Sequence, residues 1–240
     1  MNRTDWLRLV VGVFLVFALF HASATLLGSD RGQQGLLICV MVVAATAAAD
    51  RWLHSRTDLA SHLGLGRPRA KGIAVAIGVS LLLLAAAALF ARARSMTATA
   101  YPGWFWLLPG LFAQAGIAEE VLFRAFLFGH LRVGRTFWRA AAISMVPFLA
   151  VHLVLFATMP WPIAVGSLAL ALVVSFPLAH LYELGGRTIW APALLHFVIQ
   201  ATVKVVVFAE DAAVFALFWM GASAAIPLLA FAVAPDERAA

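Results

Sequence analysis

Eight apolar stretches, each about as long as a helix that crosses a membrane, dominate this 240-residue chain. They run approximately from Trp6 to Leu27, Leu36 to Leu53, Gly72 to Ala91, Trp104 to Phe128, Phe137 to Ala157, Trp161 to Leu181, Ile189 to Phe208 and Ala212 to Val233. A hydrocarbon layer about 30 Å thick takes about 20 helical residues per crossing, and a helix satisfies its own backbone in lipid. Runs this long and this frequent favour a helical bundle over a barrel or a soluble core. With 64% hydrophobic and 12% charged residues, the chain is expected to be all-α, one polytopic membrane domain over residues 1–240 with a motif-bearing core at about 104–208. The first stretch has a rival reading: Arg3 and Arg8, an apolar core and Ala22-Ser23-Ala24 imitate a cleavable secretory signal. The apolar run continues through Leu26 and Leu27, so a span is expected, and cleavage would leave the remaining orientation unchanged.

Loop cations set that orientation. If eight spans alternate, Arg3, Arg8, Arg51, Arg56, Arg67, Arg69, Lys71, Arg132, Arg135, Arg139, Arg187 and Arg238 share one side. Arg31, Arg92 and Arg94 take the other, with Lys204 near the outer end of the seventh span. By the positive-inside rule both termini are cytoplasmic. Topology also accounts for the net charge of +6, because no soluble basic domain or aromatic-basic array suggests nucleic acid. Cys39, the only cysteine, can form neither an internal disulfide nor a thiolate metal cluster. Trp104, Trp106, Trp161 and Trp190 fall near span ends, as interfacial anchors do. Pro147 and Pro177 are interior and predict kinks.

The chemistry concentrates in the fourth, fifth and seventh spans. Ala118-Glu119-Glu120-Val121-Leu122-Phe123-Arg124 places two acids and a base inside an apolar run. An ionisable residue at a membrane centre costs roughly 2.5–3.5 kcal/mol on insertion scales, so such residues normally serve a function. Glu120 and Arg124, four apart, share a helix face and can neutralise one another, while Glu119 points about 100° away, free to face a cavity as a general base. The bland alternative is a structural charge cluster that locks helices together. The fifth span carries Phe148-Leu149-Ala150-Val151-His152; the seventh carries His196 and Gln200, four apart, with Lys204 a further turn along. Taken singly, these are ordinary interhelical hydrogen bonders. Together, an acid and a histidine holding a water opposite a histidine and an amide form the equipment for water attack on an amide or ester carbonyl. Estimated depths place Glu119, His152 and His196 around one water-filled cavity open to the cytoplasm. His21, His130 and His180 are expected to be packing or interfacial residues and Glu183 to be solvated; Lys204 is expected to snorkel outward, its shared face with His196 leaving the cavity as an alternative.

Glu-Glu-x-x-x-Arg, then Phe-x-x-x-His, then His-x-x-x-amide, in this order over about Trp104 to Phe208, resembles the CAAX prenyl endopeptidase and bacteriocin-processing (Abi) family of intramembrane proteases. The resemblance implies that Glu119 and His152 activate water and that His196 and Gln200 hold the oxyanion, with Glu120 and Arg124 in support. It implies no cofactor and no metal. The chain departs from the family pattern at Gln200, where Asn or Asp is usual; the amide donor stays, with one more methylene of reach. The expected partners are the lipid bilayer and a membrane-associated or hydrophobic peptide or protein substrate, and Ala-rich, Arg-over-Lys usage points to a bacterial inner membrane. Two alternatives keep the same residues: a zinc protease ligated by Glu119, His152 and His196, and a non-catalytic scaffold, chaperone or bacteriocin-immunity protein. A transporter lacks the matched pair of broken helices it would need.

Overall fold

The computed structural model describes residues 3–53 and 58–235; Arg56, Arg238 and the side chain of Arg3, counted above for orientation, lie outside what it describes. Helices α1 (Arg3–Leu26), α2 (Gly35–Leu53) and α4 (Ala70–Ala93) follow the first three apolar runs, with a single turn, α3 (Leu59–His62), between α2 and α4. Asp58 starts that turn by accepting a hydrogen bond from the Ser61 N–H at 3.4 Å. Helix α5 runs unbroken over 104–132, and α6 (Phe137–His152) is extended by the one-turn α7 (Leu155–Thr158). Then come α8 (Trp161–Leu184), α9 (Trp190–Val205) and α10 (Ala212–Ala225), the last continuing as the 3-10 segment Ile226–Ala232.

Among the described residues, six helical stretches are long and apolar enough to cross a membrane: Thr4–Leu26, Gly35–Leu53, Ala70–Ala93, Phe137–Thr158, Trp161–Leu184 and Ala212–Ala232. This is an all-α polytopic membrane bundle. The two other expected spans fall on α5, which is of mixed winding, and on α9, which has 16 residues. The seventh run was expected to stay helical to Phe208. Instead its β-branched end, Val206–Phe208 (β2), leaves the helix and pairs antiparallel with Ala98–Ala100 (β1), Thr99 opposite Val207. Valine fits a pleated strand better than a helix end, which gives the local reason.

Helix α5 sits at the centre. Every residue from Val121 to Phe128 is buried, the pattern of a helix surrounded by protein. Leu122, Phe126 and Phe128 pack in a cluster with Leu9 and Ile38 of α1 and α2. A second cluster joins α4, α8, α9 and α10 through Leu83, Leu178, Leu195 and Trp219. Two glycines set how closely α5 is approached. A Cβ on Gly110 would stand 1.9 Å from the Gly32 carbonyl oxygen, and one on Gly116 would stand 3.0 Å from that of Ala193 in α9. The Gly116 approach lies one turn before Glu120 and one turn before His196, and it brings those two side chains within reach.

Candidate active site

The two glutamates lie between π-helical segments, Phe112–Ala118 and Val121–Phe128, inside α5. A π-helix bonds i to i+5 and turns less per residue than the 100° of an α-helix. The two acids take different surroundings, and both address the imidazole of His196, from opposite edges of the ring. Glu120 Oε1 accepts from His196 Nδ1 at 2.7 Å, while Glu119 Oε2 stands 3.7 Å from Nε2 on the other side of the ring. That second distance is too long for a hydrogen bond and leaves a small group room to contact both.

Glu120 is sealed, with a side-chain exposure of 0%, and its Oε2 stands 3.2 Å from Arg124 Nε. The Arg124 guanidinium lies 4.5 Å from the centre of the Phe148 ring, an aromatic face that receives a desolvated cation. Glu119 keeps 19% of its side chain exposed and is the accessible acid of the pair.

Phe148 ties the fifth-span motif to the first. Its ring packs edge-on to Phe123 at 5.0 Å between centroids, and its carbonyl accepts from His152 Nδ1 at 2.7 Å. That bond fixes the ring so that Nε2 faces away from the helix backbone. The charges of Glu119, His196 and Arg124 all act on His152. Both histidines thus commit Nδ1 to an acceptor and leave Nε2 for the site. Gln200, half-buried one turn beyond His196, makes no side-chain hydrogen bond among the described residues.

Lys204 corrects its expectation. Rather than snorkelling outward, it is half-buried and interacts with Glu119 and with Asp30. The loop between α1 and α2 closes over it: Arg31 Nη1 donates to the Lys204 carbonyl at 2.6 Å and its guanidinium lies 4.3 Å from the Tyr101 ring centre. Gln114, five residues before Glu119, pins that loop by accepting from Ser29 Oγ at 2.9 Å and donating to the Ser29 carbonyl at 3.2 Å. A polar glutamine one π-turn from the acid was the signal that sequence reading passed over.

Among the remaining candidates, His180 bonds the Val233 carbonyl at 2.9 Å between Phe137 and Phe231, and exposed His21 stacks on Phe17. Both fit the expected packing roles. Glu183 is not simply solvated, because it pairs with Arg132. His130 does more than pack: its Nε2 is 3.3 Å from Oδ1 of buried Asp50, which His62 also approaches at 3.8 Å. His62 and His130 line a cavity of about 370 Å³ with Ser61, Arg132, Tyr182 and Arg187. Trp190, expected as an interfacial anchor, donates to the Gly66 carbonyl at 2.9 Å.

Among the described residues no three His, Cys, Asp or Glu side chains are arranged to hold a metal ion. A search of curated proteins finds no match to the chain. Residues 101–202 match the family described as type II CAAX prenyl endopeptidase Rce1-like, a stretch that contains Glu119, Glu120, Arg124, His152, His196 and Gln200 and ends just before Lys204. The match supports placing that stretch with the CAAX prenyl endopeptidase family of membrane proteases.

Proposed function

We propose that this protein is a metal-independent intramembrane endopeptidase that hydrolyses peptide bonds in membrane-associated or hydrophobic substrates with Glu119 as the general base. The observation that carries this is the unequal treatment of two adjacent acids. Glu120 is consumed by His196 and Arg124, whereas Glu119 is accessible and faces the free edge of His196. In the step this supports, water gives a proton to the Glu119 carboxylate as its oxygen bonds to the scissile carbonyl carbon, and the carbonyl π pair moves onto oxygen. His152, oriented by the Phe148 carbonyl, holds the water through Nε2. Collapse of the tetrahedral intermediate breaks the C–N bond, and Glu119 returns the proton to the departing amine.

The oxyanion is held by His196 and Gln200. Because the Nδ1 proton of His196 goes to Glu120, Nε2 donates only when the ring carries both protons. The Gln200 amide completes the pair, and since a misplacement of about 1 Å can cost on the order of a hundredfold, its longer reach tunes the rate. The active site opens to the cytoplasm of a bacterial cell whose inner membrane holds the protein with both termini inside.

Cleavage of a hydrophobic peptide library by the protein purified into lipid tests this, with wild type, Glu119→Gln and His152→Ala each run with and without chelator. Activity that survives chelation and is lost in both folded variants supports the proposal. Activity abolished by chelation and restored by Zn²⁺ would replace it with a zinc mechanism using Glu119, His152 and His196. One observation favours a non-catalytic partner: Gln200 differs from the family pattern and makes no side-chain hydrogen bond among the described residues. An unchanged cellular phenotype for Glu119→Gln would select that reading.

A further inference from the structure

Arg124 pairs directly with Glu120, 3.2 Å away in a sealed contact, and reaches Glu119 only through space. A second cation, Lys204, also acts on the accessible acid, Glu119. Lys204 lies on the same face of α9 as His196 and Gln200, at successive steps of four residues. Helical side chains lean toward the helix N-terminus, so that of Lys204 leans back toward His196 rather than out past the end of α9. It is half-buried, and its ammonium makes no hydrogen bond or ion pair among the described residues while interacting with Glu119. The other acid it senses, Asp30, is exposed and already accepts from Gln33 Nε2 at 2.9 Å, so water screens that interaction. Arg31, also nearby, is committed to the Lys204 carbonyl and the Tyr101 ring.

Resting on the hydrolase reading above, we propose that Lys204 is the counter-ion of Glu119 and a positioning residue of the reaction, its ammonium neutralising the carboxylate at rest and the oxyanion once the water proton has moved to Glu119. Proton transfer moves one negative charge from Glu119 to the substrate oxygen without changing the total. A fixed cation beside both positions serves each in turn, and in a poorly solvated site it does so with little reorganisation. The loop pinned by Gln114 and Arg31 holds the end of α9, and with it Lys204, in place.

A double-mutant cycle tests this without requiring turnover: wild type, Lys204→Met, Glu119→Gln and the double variant are purified in lipid and their Tm values compared. Lys204→Met is expected to lower Tm on the order of 2–4 °C in the wild-type background and to leave it unchanged or raise it in Glu119→Gln. Equal shifts in both backgrounds would overturn the pairing, and Lys204→Gln repeats the cycle if the Met variant fails to fold. On a cleaved peptide, Lys204→Met is expected to lower kcat on the order of 10–100-fold at unchanged KM, with Lys204→Arg restoring most of it. A loss that falls on KM, or an Arg variant no better than Met, would overturn the catalytic part. Absence of cleavage by wild type would count against the hydrolase reading alone, because the stability cycle still decides whether the two charges are coupled.

Discussion

Glu119 and Glu120 are neighbours in the chain and opposites in environment. On one side of His196, Glu120, Arg124 and the Phe148 ring form a sealed unit in which carboxylate and guanidinium pair, although Glu120 Oε2 and both Arg124 Nη atoms make no hydrogen bond among the described residues. On the other side, the charge of Glu119 acts on His152 and Lys204 with no ion pair to either among the described residues, and His152 is held only through its Nδ1 bond to the Phe148 carbonyl. The sealed side is built like a structural ion pair, whose cost of desolvation is offset only while every partner stays. One imidazole joins the two, its Nδ1 on the sealed side and its Nε2 on the open side.

The comparison breaks most sharply at the acids and bases themselves. Glu119→Gln is expected to lower kcat about 10²–10⁴-fold, the range of a general base, with Tm held near wild type; hydrolysis rates together with thermal unfolding in lipid check both parts. Arg124→Met leaves Glu120 buried without its cation and is expected to destabilise the protein by about 3–5 kcal/mol, read as a fall in resistance to denaturant. Gly116→Ala brings a methyl within 3.0 Å of the Ala193 carbonyl. Separating α5 from α9 there is expected to cost about 1–3 kcal/mol and to weaken the Glu120–His196 bond, observable as a change in the His196 ring resonances. The smallest effect belongs to Phe148→Leu, which keeps the carbonyl that orients His152 but loses the ring over Arg124; about 0.5–2 kcal/mol of stability should go, with activity largely retained.

Much of this was legible in the sequence because membrane chemistry is unforgiving. Long apolar runs have few folds open to them, and Glu119, Glu120, Arg124, His152 and His196 stood out against the residues around them. What stayed hidden depended on backbone geometry. The two acids were legible as facing different ways, but only the close approach of α9 to α5 at Gly116 shows that both reach one histidine. Phe148 was visible only as a motif letter, since nothing in a sequence says that its carbonyl and its ring serve different motifs. Lys204 read as an outer-end cation because nothing in the sequence shows the loop with Asp30 and Arg31 reaching the end of α9. Asp50, His62 and His130 come together from distant segments, so no local pattern marks them.

The division between the two glutamates is tested most directly by measuring activity and Tm side by side for Glu119→Gln and Glu120→Gln in lipid. The account predicts that Glu119→Gln is inactive with an unfolding midpoint near that of wild type, whereas Glu120→Gln, which strips the charge from a sealed pair with Arg124, unfolds at a clearly lower temperature. A Glu119→Gln protein that still hydrolyses peptides at the wild-type rate would contradict it.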